Sequence, residues 1–511
     1  MSNKFVGLII LDGFGLSRSK KGNAIAIANP KNFKNYYKNY PHTTLDASGE
    51  AVGLIKGTMG NSETGHLNMG AGIIVEQKLR IIDRALKEKT FESNKELIST
   101  CKHVVKNKSN LHIMGLLSDK NVHANMMHMF KVLKIAKAQN VKNIFIHCFT
   151  DGRDTLIDES PKYIARLQKE IKKYPGINIK IATVMGRSFA MDREQNYDKT
   201  EKAYKAMVLG EAKHYANDPI TAIKDSYATG VYDEFIEPIV VTDGGKKYTI
   251  KDYDGVIFYN FRDDRARQIT ESMIVDQFNK FPTKDLSHIY FCGFSNYDVN
   301  FKKLHYAFCD QDITQNLSHV ISQHGLKQFK ISETTKYAHV TYFFNGGIEQ
   351  PYDGESRFLI ETIKNKPFDE TPQMRTREIT AKAIDEIKSK KYSLMVLNYS
   401  NCDMLGHTGN LDATVESIKI MDEELKKLVD TIISIGGIAI ITADHGNAEK
   451  MIDDKGNLLT EHTTNRVPFV VINAGELKLT EGKLCNISPT ILDLLGIKAP
   501  KEFKAKSLIL K

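Results

Sequence analysis

Two short spacings in this chain could do chemistry: the adjacent pair Asp444-His445, and Asp403-x-x-x-His407. Asp12 and His462 add a carboxylate and an imidazole, and Ser62 adds a hydroxyl. Oxygen and imidazole donors without thiolates suit Mn²⁺, Mg²⁺ or Zn²⁺ rather than copper or iron–sulfur chemistry. Asp12, Ser62, Asp403, His407, Asp444, His445 and His462 are more donors than one ion needs. Two ions about 3.5–4 Å apart would use them, clamping a phosphoryl oxygen and ionising a hydroxyl. Ser62 is the hydroxyl to ionise, because an unassisted serine is too weak a nucleophile at neutral pH. It lies in Gly57-Thr58-Met59-Gly60-Asn61-Ser62-Glu63-Thr64-Gly65, where glycines let backbone approach a ligand and Asn61 can cap a helix. Such a helix would aim its free N–H groups at whatever Ser62 touches.

A second group of residues is cationic. The run Leu111–Leu117 reads as a strand, with His123 beyond it. Asn143–Phe149 ends in Asp151-Gly152-Arg153-Asp154-Thr155. Asn178–Val184 leads to Arg187 and Arg193, and Gly255–Tyr259 to Arg262 and Arg265. Helical patterns over 75–100, 126–138, 160–173 and 198–209 separate these strands, as in an α/β domain that collects its functional loops at one end. Arginine grips carboxylate and phosphate through paired N–H groups. Several at one loop end suit a small molecule carrying both anions.

The elements that must position the metal-type residues lie at both ends of the chain. Phe5–Leu11 is a short continuous apolar run, read as a buried parallel strand that delivers Asp12. Ser393–Asn398 delivers Asp403 and His407, and Gly437–Ile441 delivers Asp444 and His445. Gln328–Ser332 leads to Glu333 and Lys336, and Val340–Asn345 is expected to be a further strand. Helices are expected over 377–387, 413–429 and 487–495. If Asp12 and Ser62 are to meet residues 403–462, segments 1–76 and 311–511 form one domain, and 77–310 is an α/β insertion. Two crossings imply hinges near residues 76 and 310. A cleft closing there would exclude water and separate transfer to a bound hydroxyl from hydrolysis.

Composition bounds the rest. The chain has 511 residues, 41% hydrophobic and 26% charged, enough apolar material for two large cores. Its formal net charge of +9 is spread over helical segments without a basic stripe interleaved with aromatics, which argues against a nucleic-acid partner. The 6 cysteines form no CxxC pair, so thiols in a reducing compartment are expected rather than disulfides. No signal-peptide pattern and no apolar run of membrane-spanning length is read, and a cytoplasmic monomer that completes its site within one chain is the expectation.

These motifs, with Leu11-Asp12-Gly13-Phe14-Gly15, Ala190-Met191-Asp192-Arg193, Asn260-Phe261-Arg262 and Lys336-Tyr337-Ala338-His339-Val340-Thr341, resemble the cofactor-independent phosphoglycerate mutases of the alkaline phosphatase superfamily. The resemblance runs the length of the chain. It implies an alkaline-phosphatase-like metal domain interrupted by an inserted substrate-binding domain. It also implies interconversion of 3-phosphoglycerate and 2-phosphoglycerate in glycolysis and gluconeogenesis, without 2,3-bisphosphoglycerate. Two Mn²⁺ ions are implied, one on Asp403, His407 and His462, the other on Asp12, Ser62, Asp444 and His445. Ser62 would pass through a phosphoserine. Asp154 would handle the glycerate hydroxyl protons, and His123, Arg153, Arg187, Arg193, Arg262, Arg265 and Lys336 would contact substrate. Departures from the family's usual pattern include Thr335, where a second glutamate is frequent, and Cys402, where proline is common. A thiol beside Asp403 suggests sensitivity to oxidation.

Two rivals remain at this point. A metal-dependent phosphomonoesterase or another phosphomutase of the superfamily would share the metal residues. The arginine-rich insertion and the Asp-Gly-Arg-Asp loop argue against it. A basic binding protein without catalysis would not need Ser62 or Asp444.

Overall fold

A computed structural model describes residues 4–453 and 455–510. The chain forms two compact α/β units, one from Met1–Gln77 with Gln311–Lys511 and the other from Lys78–Asp310.

The first unit is built on an eight-stranded sheet in the order Glu355–Ile360, Gln328–Glu333, Leu394–Tyr399, Val6–Leu11, Ile438–Thr442, Val467–Ile472, His42–Asp46, Gly482–Lys483. Val6–Leu11 is central because every one of its side chains is apolar or glycine, and each is buried. It runs parallel to both neighbours, with Leu8 beside Val396 on one side and Ile440 on the other. A side chain such as Ile9 or Ile441, removed wholly from water, contributes about 1.5–3 kcal/mol. Five strands, from Glu355–Ile360 to Ile438–Thr442, therefore run parallel, and the residues that follow the inner four share one edge of the sheet. Val467–Ile472 is antiparallel and closes this side against His42–Asp46.

The second unit has its own eight-stranded sheet, in the order His305–Tyr306, Tyr290–Gly293, Gly255–Phe258, Leu111–Leu116, Asn143–Thr150, Asn178–Gly186, Ile239–Val241, His214–Ala216. The strands carrying the His123, Arg153, Arg187 and Arg262 loops are adjacent and mutually parallel.

Two readings of local structure are corrected. Val340–Asn345 is not a strand: His339–Phe343 forms a π-helical turn that continues the helix Thr334–Ala338. The β-branched and aromatic composition favours a strand, but the segment is packed on the helix Ser62–Ala71, where Gly70 leaves room for the Phe344 carbonyl. The helical pattern over 75–100 is two helices, Lys78–Lys87 and Lys95–Asn107. Lys89 takes a left-handed conformation (φ 59°) and the Asn94 side chain caps the second helix through Glu96 N and Leu97 N.

Buried histidines are expected to make the second unit acid-sensitive. His147 bridges His112 and Thr183 (3.0 and 2.9 Å), and burial with the neighbouring His112 pushes its pKa well down. His128 lies among Phe91, Phe261 and Phe294, and burial pushes its pKa down to about 4. A histidine of depressed pKa is neutral when folded and protonated when unfolded below about pH 6.5, so its contribution is present above that pH and is lost as pH falls. Each such group costs about 1.4 kcal/mol per pH unit between 6.5 and its folded pKa. We expect His128→Leu to flatten the fall in urea-unfolding stability between pH 6.5 and 4.5 by that slope. An unchanged slope would mean that His128 is protonated in the fold.

Candidate metal and phosphoryl-transfer site

Asp12 follows the central strand directly, and Asp444 lies two residues beyond Ile438–Thr442. Asp403 and His407 come one helical turn apart at the short helix Asn401–Gly406, which follows Leu394–Tyr399. Lys336 sits in the helix after Gln328–Glu333. Ser62 opens the helix Ser62–Ala71, capped by Asn61 Oδ1 on Thr64 N (2.9 Å). Gly65 lets this helix lie against the Asp444 loop, since a Cβ there would stand 2.8 Å from that of Asp444. Gly13 likewise takes a left-handed conformation (φ 76°) against the Asp403 backbone. All seven metal-type residues of the sequence therefore meet within the first unit.

Ser62 Oγ is the point of convergence. Lys336 Nζ donates to it at 2.6 Å, His445 Nε2 lies at 3.0 Å and Asp12 Oδ1 at 3.3 Å. Lys336 Nζ also reaches Asp403 Oδ2 (2.6 Å) and Asp12 Oδ1 (2.8 Å). Burial alone would lower the lysine's pKa, but Asp12, Asp403 and Asp444 outweigh it and raise it. In return, against burial, Lys336 holds Asp12 down to about 2 and, with His407 and His462, keeps Asp403 well below the carboxylate range. Asp444 has the opposite fate. Burial and the nearby Asp12 raise its pKa well above the ordinary value, Lys336 opposing.

The donors fit divalent ions. His407 Nδ1 faces the Thr460 carbonyl (2.6 Å) and His462 Nδ1 the Gly60 carbonyl (2.8 Å). Each Nδ1–H is thereby donated to backbone, leaving the two Nε2 lone pairs 3.0 Å apart and 3.2 and 3.1 Å from Asp403 Oδ1. With both imidazoles neutral in that tautomer, the two lone pairs and the carboxylate oxygen converge on one point, where a divalent cation would replace the protons that otherwise hold the histidines on Asp403. Beside them, Asp444 Oδ2 is buried without a hydrogen bond, near His445 Nε2 (3.5 Å) and His66 Nδ1 (3.4 Å). The compact donor groups among the described residues are Asp403 with His407 and His462, Asp12 with His66 and Asp444, and Asp12 with Asp403 and His445.

His66 was not among the sequence candidates, although its place one turn after Ser62 could have suggested it. Both its nitrogens are already used, Nδ1 on the Ser62 carbonyl (2.9 Å) and Nε2 on Asn398 Nδ2 (3.0 Å). Asn398 also donates to Asp12 Oδ2 at 2.7 Å, so the pair holds the serine's helix and Asp12 in one frame. Glu449 was missed too. It accepts from Gly15 N (3.2 Å), Asn447 N (2.8 Å), Asn465 Nδ2 (2.9 Å) and Thr463 Oγ1, tying three site loops together. Asn447 Nδ2 in turn donates to Asp403 Oδ1 at 3.0 Å. Cys402 is fully buried, and burial pushes its thiol pKa well up.

The cationic residues gather in the second unit. Arg187 is buried and donates from Nη1 to Asp151 (2.7 Å) and Asp154 (2.5 Å), which raise its pKa against burial. Arg265 is buried, with Nη1 on the Met191 carbonyl (3.2 Å), and burial beside Arg187 and Arg193 lowers its pKa. Arg153 is half-exposed and meets Glu234 (3.4 Å). His123 is buried and its pKa is pushed down to about 4 by burial and Arg187. Arg193 and Arg262 both meet Asp264.

A serine among carboxylates, imidazoles and a lysine, on an α/β unit interrupted by an arginine-bearing α/β unit, is the equipment of a metal-assisted phosphoryl-transfer enzyme. Comparison with known proteins narrows the class. Residues 82–299 match the family described as BPG-independent PGAM N-terminus. The chain is 43% identical over the full length of both chains to 2,3-bisphosphoglycerate-independent phosphoglycerate mutase of Acetivibrio thermocellus. It is 44% identical to that of Clostridium acetobutylicum, covering 99% of this chain and 100% of the relative. Among solved structures, Leishmania mexicana phosphoglycerate mutase at low cobalt concentration superposes with a TM-score of 0.65 at 31% identity, covering 99% of this chain and 98% of that one. The chain belongs to the 2,3-bisphosphoglycerate-independent phosphoglycerate mutases, and its class is that of an isomerase acting by intramolecular phosphotransfer. No helix among the described residues is long and apolar enough to cross a membrane.

Proposed function

We propose that the chain interconverts 3-phosphoglycerate and 2-phosphoglycerate in glycolysis and gluconeogenesis, with the phosphoryl group carried between the two hydroxyls by Ser62. The observation that carries this reading is the convergence of Lys336 Nζ, His445 Nε2 and Asp12 Oδ1 on one buried serine hydroxyl. Two Mn²⁺ ions fit the donors, one on Asp403, His407 and His462, the other on Asp12, Ser62, Asp444 and His445. When bound, such ions polarise phosphoryl oxygens and lower the pKa of a serine hydroxyl.

The chain's own groups do the rest. Ser62 Oγ forms a bond to phosphorus as the bond to one glycerate oxygen breaks. Lys336 neutralises charge gathering on the phosphoryl oxygens, and it does so from a buried position where its charge is little screened. His123, Arg153, Arg187, Arg193, Arg262 and Arg265, on the unit 78–310, grip the carboxylate and phosphate of the substrate. Asp154, held by Arg187, passes protons to and from the two glycerate oxygens. The glycerate stays bound, turns, and takes the phosphoryl group on its other oxygen, which requires that water be kept from the phosphoserine. Each step uses one chain, which supports a monomer, and a glycolytic role supports a cytoplasmic location.

The test is ³¹P NMR of the purified protein with Mn²⁺ and 3-phosphoglycerate, with no 2,3-bisphosphoglycerate added. We expect the 2-phosphoglycerate resonance to grow to equilibrium, to fail after chelation and to return with Mn²⁺. Growth of inorganic phosphate instead would make the chain a phosphomonoesterase.

A further inference from the structure

Asp264 lies in the same loop as Arg262 and Arg265, and three cationic or ionisable groups of the substrate cluster turn toward it. Its Oδ2 accepts from Arg193 Nη1 at 2.7 Å. Its Oδ1 is 3.0 Å from Arg262 Nε and 3.6 Å from His123 Nδ1, and is buried without a hydrogen bond. These partners come from three separate loops, after Leu111–Leu116, after Asn178–Gly186 and after Gly255–Phe258. Arg193 and Arg262 are 42% and 49% exposed, unlike Arg187, whose guanidinium is sealed against two carboxylates. Asp264 is the carboxylate that each of these two arginines meets. The adjacent Asp263 serves a different partner, Arg267 at 3.3 Å.

We infer that Asp264 is a positioning residue, which draws Arg193 and Arg262 onto one carboxylate, beside His123, so that the two arginines stand assembled before the substrate's anion arrives. The inference rests on the reading that these three groups contact phosphoglycerate. An exposed arginine has many rotamers, and a group already ordered in the free enzyme loses less entropy on binding. The carboxylate also relieves repulsion between guanidinium groups brought close together, which a neutral residue could not do. Asp264 touches no reacting atom, so its effect falls on binding rather than on the transfer step. A carboxylate in this place also competes with the substrate for the arginines. That effect has the opposite sign, and the experiment reads which one prevails.

The test compares steady-state kinetics of Asp264→Asn, Asp264→Glu and the control Asp263→Asn with wild type. We expect Asp264→Asn to raise KM for 3-phosphoglycerate about tenfold with kcat within about threefold. Asp264→Glu keeps the charge and should recover part of the loss, and Asp263→Asn should match wild type. In an Arg193→Met/Arg262→Met background, Asp264→Asn should add little, because Asp264 acts through those side chains. A KM that is unchanged or lower in Asp264→Asn overturns the inference, as does a fall in kcat alone. If Arg193→Met/Arg262→Met itself leaves KM at the wild-type value, the substrate-contact reading fails and the inference with it. If that pair raises KM and Asp264→Asn does not, the inference alone fails.

Discussion

Ser62→Ala is expected to lower kcat by about 10⁵-fold or more, with no 2-phosphoglycerate detectable by ³¹P NMR on the timescale at which wild type reaches equilibrium. The size follows from the position of Oγ. It is the atom on which Lys336, His445 and Asp12 converge, and its proton has two acceptors in reach, the Nε2 of His445 and the carboxylate of Asp12. Thr64 is the nearest hydroxyl in sequence, but its Oγ1 is engaged by Asn61 and cannot substitute. The fold should survive, because the helix keeps its Asn61 cap and Lys336 keeps both carboxylates, so the loss in stability is about 1 kcal/mol. Activity within a hundredfold of wild type, in protein of normal unfolding midpoint, would mean that the phosphoryl group does not rest on Ser62.

The metal-type residues were legible because they come in pairs that survive translation into structure. Asp403 and His407 are spaced for one helix face, and Asp444-His445 follows a strand whose apolar run is unmistakable. Four parallel strands ending together then bring distant segments to one edge, which sequence reasoning could demand but not measure. What stayed hidden acts through the backbone or against propensity. Glu449 serves mainly amides and side chains of three loops, and nothing in its neighbours announces that. Val340–Asn345 reads as a strand by composition, and its first four residues are held in the π-helical turn His339–Phe343 by tertiary packing. The strand Glu355–Ile360 mixes Glu, Ser and Arg with apolar residues, as suits a sheet edge that is only half buried. Asp264 was hidden for a related reason, since an acid beside arginines in a loop looks like ordinary charge balance until three loops are seen to meet on it.

Lys336→Met should have two effects that move independently. Without the ammonium, charge developing on the transferring phosphoryl oxygens loses a preorganised partner, and kcat should fall about 10²–10³-fold with Mn²⁺ present. The second effect concerns the metal-free protein. Lys336 is the cation within 2.8 Å of both Asp12 and Asp403, and it also bears on Asp444, all of them buried. Methionine fills the space but leaves these carboxylates facing one another. Removing one partner of a buried ionic group costs about 3–5 kcal/mol, because the charge that remains has lost its compensation without regaining water. Urea unfolding in chelator should therefore place Lys336→Met below wild type by that amount. A divalent cation supplies the missing charge to the same carboxylates, so Mn²⁺ should stabilise the variant more than it stabilises wild type and bring the two midpoints together. Equal stability of the two proteins in chelator would mean that these carboxylates are held by protons rather than by Lys336, and the lysine would then be left with a catalytic role alone.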